Sequence, residues 1–194
     1  TNNMIKAVLL DLDNTLIHNP DRAFAIAFLH HAETFFSKRL SMTDFRTPFR
    51  AAIQAMCSLD ADPTQSNHER VVSHLAAASG APAHDVDAAV DAFYHTVFPQ
   101  LRECIQPVTG AVDLIHHLQN EGYAVVIATN PLYSAHALEL RLEWTDLPTD
   151  LDTYAFVTHA ENMHTAKPNP AYYAEILARV GIEPDEAVMI GDGD

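Results

Sequence analysis

IKAVLLDLDNT, residues 5–15, joins a short apolar run to an acidic stretch that begins at Asp11. The run is nearly continuous rather than alternating, and it is bounded by polar residues. Such a pattern suits a strand buried on both faces, the kind found in parallel sheets covered by helices. Asp11 and Asp13 then stand at the C-terminal end of that strand.

Outward from this strand the pattern changes. Across residues 21–102, apolar residues recur at helical spacing: Phe24, Phe28 and Leu29; Phe35 and Phe36; Val71, Val72 and Leu75; Val86, Val90, Phe93 and Tyr94. Pro48, Pro63, Gly80-Ala81-Pro82 and Pro99 break the region into about four predicted helices with no sheet. From Pro107 onward, helices and short apolar strands alternate. Helices are expected over 111–120, 134–144 and 171–180, with Gly122 and Gly181 closing the first and last. Strands are expected over 123–128, 155–157 and 187–190. A strand, a helical insertion and then alternating helices and strands predict an α/β fold: a doubly wound, Rossmann-like parallel sheet carrying an inserted α-helical unit. The domain reading is a discontinuous core of residues 1–16 and 107–194, with residues 17–106 as a helical cap. The cap is expected to sit over the strand C-termini and to open and close on hinges at 17–20 and 106–110.

Charge narrows the function classes. The chain carries 11 Lys+Arg against 26 Asp+Glu, a net −15, so it repels nucleic acid and anionic membrane surfaces at long range. No run of 18 apolar residues suggests a membrane span, and no basic n-region marks a signal peptide. A cytoplasmic protein is the expectation, with Thr1–Asn3 as an unstructured lead-in or tag remnant. Cys57 and Cys104 have no metal or redox spacing and read as reduced, buried thiols.

Each strand end presents polar residues: Asp11 and Asp13, Thr129 and Asn130, Asp192. In open α/β sheets that edge is where ligands bind. Acids at i and i+2 of an extended segment can point to one place. One ionised carboxylate can attack phosphorus and bind a hard cation; the other, if protonated, can donate to a leaving oxygen. An acidic turn after a strand would read the same way. Thr129-Asn130 can bind phosphate oxygens, or simply cap a helix. Lys167, held before Pro168-Asn169-Pro170, can neutralise a phosphoryl group, or sit solvated before a helix. Gly191 permits close backbone approach and Asp192 can take a metal.

Taken in order, Asp11-Leu12-Asp13-Asn14-Thr15, Thr129 after its strand, Lys167-Pro168 and Gly191-Asp192 resemble the four motifs of the haloacid dehalogenase-like superfamily. The resemblance covers the whole chain. It implies a Mg²⁺-dependent phosphatase acting on a small phosphorylated substrate. By the same resemblance, Asp11 is nucleophile and metal ligand. Asp13 is general acid/base, with its carbonyl on the metal. Thr129 and Lys167 bind phosphate, and Asp192 binds metal. The family usually places a further acid about four residues after the position of Asp192, whereas this sequence stops at Asp194. The expectation is therefore that the natural chain runs on. A phosphomutase or a dehalogenase on the same fold, a receiver-type signalling domain and a non-catalytic phosphate-binding protein are the rival readings. Asp13 and Asp192 favour phosphoryl chemistry over dehalogenation, and the insertion disfavours a receiver. His18 and Asn19 are expected at the entrance.

Overall fold

The computed structural model of the protein describes residues 4–193, with Asp21 described in its backbone only. Thr1–Asn3 and Asp194 lie outside the described residues. The central strand β1 (Ala7–Leu10) is buried along its whole length. It pairs in parallel with β4 (Ala124–Ile127) on one side and β6 (Ala187–Ile190) on the other. A short β5 (Phe156–Val157) extends the sheet beyond β4, giving the order β5-β4-β1-β6.

Side-chain alternation splits the core in two. Val8, Leu10, Val125 and Ile127 pack under α5 (Ala111–Asn120) and α6 (Ala135–Glu143), through Ala111, Ile115, Leu138 and Leu142. Ala7, Leu9, Val126 and Ala128 pack on the other face against Tyr172 and Ile176 of α7 (Pro170–Val180). Helices on both faces make the sheet doubly wound. The helix ends follow local chemistry: Ser134 and Asn169 accept N–H groups at the starts of α6 and α7, and Gly181 at φ 67° closes α7.

Between β1 and β4 the chain forms α1 (Ala23–Arg39), α2 (Arg46–Cys57), α3 (Asn67–Ser79) and α4 (Ala83–Thr96). Their apolar faces meet in an aromatic cluster in which Phe28 packs edge-on to Phe93, Phe98 and Tyr133. α3 starts with a capping box between Ser66 and Glu69.

The helical segment is tied to the sheet at its root and on its far side. At its root, β2 (Ile17–His18) and β3 (Gln106–Pro107) form an antiparallel pair with Ile17 opposite Pro107. The sequence showed no alternation there, because two residues per strand are too few to carry a period. On its far side, the α2–α3 connection is hydrogen-bonded to residues 160–169. Asn67 N–H donates to Met163 O (2.8 Å), His68 N–H to Ala160 O (2.9 Å), and Ala166 N–H to Met56 O (3.0 Å). The buried Asn67 amide donates to Thr165 O at 3.0 Å, and Arg70 Nη2 to His164 O at 3.1 Å.

Candidate active site

Register brings the polar strand ends together. Leu10 lies opposite both Ile127 and Ile190, so the residues that follow, Asp11, Ala128 and Gly191, emerge side by side. Asp11 N–H donates to Ile190 O at 2.8 Å, and Ala128 N–H to Leu10 O at 2.7 Å. From β1 the chain proceeds to β4 on one side and returns through β5 to β6 on the other. Asp11 thus stands at the topological switch point.

The neighbour at Gly191 must be glycine. A Cβ there would lie 2.9 Å from the Asp11 Cβ, closer than non-bonded carbons approach. Beyond the acid, the backbone makes a tight turn. Asn14 takes φ 56°, a left-handed conformation that asparagine tolerates. Leu12 O accepts the N–H groups of Leu16 and Ile17, both at 3.0 Å.

A cleft of about 470 Å³ opens at this point, lined by Asp11, Asn130, Lys167, Tyr173, Gly191 and Asp192 among others. Lys167 Nζ donates to Asp11 Oδ1 at 2.6 Å, with both side chains less than one-fifth exposed. Asn130 Oδ1 accepts the Lys167 backbone N–H at 3.0 Å, so Asn130 places the lysine loop. Burial pushes the Asp11 carboxyl above its ordinary range, while the Lys167 ammonium pulls the other way. Burial also raises the Tyr173 hydroxyl, and the Asp11 charge adds to it.

The other expected residues are placed differently. Thr129 is buried beneath the cleft, where its carbonyl accepts from Thr158 Oγ1 and from the Tyr172 hydroxyl, both at 2.7 Å. The Asp13 side chain is about one-third exposed, and its charge lies close enough to push up the Asp11 carboxyl. Its Oδ1 accepts from Arg141 Nη2 at 2.5 Å and from Asn19 Nδ2 at 3.0 Å. The two acids thus have separate partners, Asp11 with Lys167 and Asp13 with Arg141, while the Asp13 charge still acts on the Asp11 carboxyl. His18 is exposed on β2. Cys57 and Cys104 are both free thiols, half-buried, and burial raises both.

Arg141 has no motif in the sequence to mark it. The available signal was a charged residue on the buried stripe of α6, three residues after Leu138 and directly before Leu142. The roles of Asn67 and Tyr172 rest on long-range contacts and have no local signature.

Asp11 and Asp192 offer hard oxygen donors. Among the described residues, no three His, Cys, Asp or Glu side chains converge to hold a metal. Two carboxylates at one cleft fit Mg²⁺, which keeps several waters and takes phosphate oxygens, and do not fit a closed zinc cage.

The chain is 28% identical over 207 residues to a glyceraldehyde 3-phosphate phosphatase of Methanopyrus kandleri, covering 97% of this chain and 76% of that one. It is 27% identical over 188 residues to the pyrophosphatase PpaX of Bacillus cereus, covering 97% and 74%. Among solved structures, CbbY of Rhodobacter sphaeroides in complex with phosphate superposes with a TM-score of 0.57 at 21% identity, over 96% of this chain and 77% of that one. A CbbY variant in complex with xylulose-(1,5)bisphosphate gives 0.58 at the same identity and coverage. Residues 5–194 match the haloacid dehalogenase-like hydrolase family, and the chain belongs to it.

Proposed function

We propose that this hydrolase is a phosphatase that cleaves a small phosphomonoester through an aspartyl-phosphate on Asp11, with Mg²⁺ as cofactor. The observation that carries the reading is the Asp11–Lys167 contact of 2.6 Å at the switch point, in a cleft shared with Asp192. The names of the relatives, one a glyceraldehyde 3-phosphate phosphatase and the other a pyrophosphatase, support phosphoryl hydrolysis.

Asp11 attacks phosphorus in line, and Lys167 binds the phosphoryl oxygens as charge builds on them. Asn130 keeps the lysine loop in place, and Thr129 backs the site from beneath. Asp13 protonates the leaving alcohol and then takes a proton from the water that hydrolyses the intermediate. Asp11, Asp192 and the Asp13 carbonyl would hold Mg²⁺, which supplies charge neutralisation at the transferring group. Residues 17–106 act as the cap, and residues 1–16 and 107–194 as the core. Closure of the cap would exclude water from the cleft. The stitch of the α2–α3 connection to residues 160–169 supports a cap that moves little on that side.

The test is a panel of phosphorylated metabolites assayed with wild type and Asp11→Asn, with Mg²⁺ and with chelator. Wild type is expected to release phosphate only with Mg²⁺, and Asp11→Asn is expected to lose at least ~10³-fold in turnover. Hydrolysis that survives in the variant would remove Asp11 as nucleophile. Hydrolysis that survives chelation would remove the metal. Phosphate moved to a second position of a sugar phosphate, rather than released, would favour a mutase.

A further inference from the structure

Arg141 lies fully buried on α6. A buried guanidinium is costly unless it is paired and hydrogen-bonded. Here one nitrogen has a partner: Nη2 donates to Asp13 Oδ1 at 2.5 Å. Nε and Nη1 are buried with no partner among the described residues. The cation lies 4.5 Å from the ring centre of Phe24, at the start of α1, and 5.5 Å from that of Tyr133. Aromatic rings from the helical insertion and from the post-β4 loop thus fix it in place.

Asn19 supplies a second donor to the same Asp13 oxygen, at 3.0 Å. Asn19 is itself held at both ends. Its N–H donates to Asn14 Oδ1 at 3.0 Å, and its Oδ1 accepts the Phe24 N–H at 3.2 Å. Two donors therefore occupy Oδ1, and Oδ2 of Asp13 has no partner among the described residues. An apolar residue at position 141 would avoid two unpaired buried donors. An arginine buried there calls for a reason beyond packing, and among the described residues its side chain's polar contact is with Asp13.

We propose that Arg141, assisted by Asn19, is a positioning residue that fixes Asp13 by Oδ1 so that Oδ2 carries the exchanged proton. The proposal rests on the reading of Asp13 as the acid/base. In the first half-reaction the Oδ2–H bond breaks and its proton goes to the leaving oxygen. The bond from phosphorus to that oxygen breaks as the bond from Asp11 forms. The resulting Asp13 carboxylate stays paired with Arg141. In the second half, Oδ2 takes a proton from water as the water oxygen bonds to phosphorus and the Asp11–phosphorus bond breaks. The sum is ester plus water giving alcohol plus phosphate, with Asp13 protonated again.

The experiment compares kcat/KM on phenyl phosphate, whose leaving group needs a proton, with kcat/KM on 4-nitrophenyl phosphate, whose leaving group departs without one. Wild type, Asp13→Asn, Arg141→Met, Arg141→Lys and Asn19→Ala are measured, with thermal unfolding of each. Asp13→Asn is expected to lose ~10²- to 10³-fold on phenyl phosphate and under ~10-fold on the nitrophenyl ester. Arg141→Met should show the same selectivity, falling mainly in kcat. Arg141→Lys should recover at least ~10-fold of that loss by restoring a donor. Asn19→Ala should show the selectivity in weaker form, and it decides the matter with Arg141→Lys if Arg141→Met does not fold. Equal losses on both esters in folded Arg141 and Asn19 variants, with selectivity retained in Asp13→Asn, would overturn the positioning role alone. No selectivity in Asp13→Asn would overturn the acid/base reading, and the positioning role with it.

Discussion

At the scale of single residues, the cleft depends on Gly191 as much as on its acids. An added methyl would press on the Asp11 Cβ from 2.9 Å, and that neighbour is backbone-proximal and cannot swing away. Gly191→Ala is expected to cost about 1–3 kcal/mol by overpacking. It should also lower kcat/KM at least ~100-fold, because the Asp11 carboxylate shifts against Lys167. Denaturant unfolding and steady-state kinetics on one sample separate the two effects; an active Gly191→Ala would show that the approach is not tight in solution. Residues of this kind divide into those the sequence displays and those it hides. Asp11, Lys167, Gly191 and Asp192 are legible because each follows a strand or precedes a proline-marked helix, where chemistry and local structure coincide. Arg141 and Asn67 are hidden because their partners lie 128 and 98 residues away, at Asp13 and Thr165. No local pattern encodes a partner that distant.

At the scale of elements, α5 and β6 match the expected bounds, since amphipathic period and apolar run are strong local signals. The β2–β3 pair was not expected, since its pairing is set by the return of the chain from α4. The start of α6 shows how loops and helices are coupled. Ala135 N–H donates to Glu161 Oε2 at 3.1 Å, and the same oxygen contacts His159 Nδ1 at 2.7 Å. Burial raises the Glu161 carboxyl, but the His159 contact and a backbone N–H outweigh it, and the net value falls below the ordinary 4.5. A depressed carboxyl contributes stability that is present above its unfolded value and is lost as pH falls through the folded one. Glu161 is partly exposed, so solvent screening keeps the effect small. Glu161→Gln is expected to lower Tm by roughly 1–2 °C at neutral pH, from about 0.5 kcal/mol at a helix N-terminus. The gap should close as pH drops below the ordinary 4.5. A gap that does not change between pH 7 and pH 3.5 would mean that the charge contributes nothing.

At the scale of the whole molecule, a net charge of −15 acts against an apolar surface. Val188 and Ile190 share one face of β6 and are 39% and 45% exposed, and among the described residues the outer edge of β6 is unpaired. An exposed apolar edge strand is a template for association, while like charge holds copies apart. Screening shortens the reach of that repulsion from ~30 Å at 0.01 M salt to ~10 Å at 0.1 M. The 194-residue chain is therefore expected to self-associate more as salt is raised, and Val188→Lys should suppress this. Light scattering at low and moderate salt reads it directly, and a chain that stays monomeric at both would show that the edge is not sticky.

The placement of β1 between β4 and β6 also sets a timetable for synthesis. The Asp11 N–H is held by the carbonyl of Ile190, 179 residues further along the chain. Chains emerge from the N-terminus, and contacts this distant in sequence form late. The helical insertion and β4 can assemble on a nascent chain while β1 still lacks one of its two flanking strands. The Asp11 backbone therefore stays unpinned on its β6 side until residues 187–190 have been made and have docked.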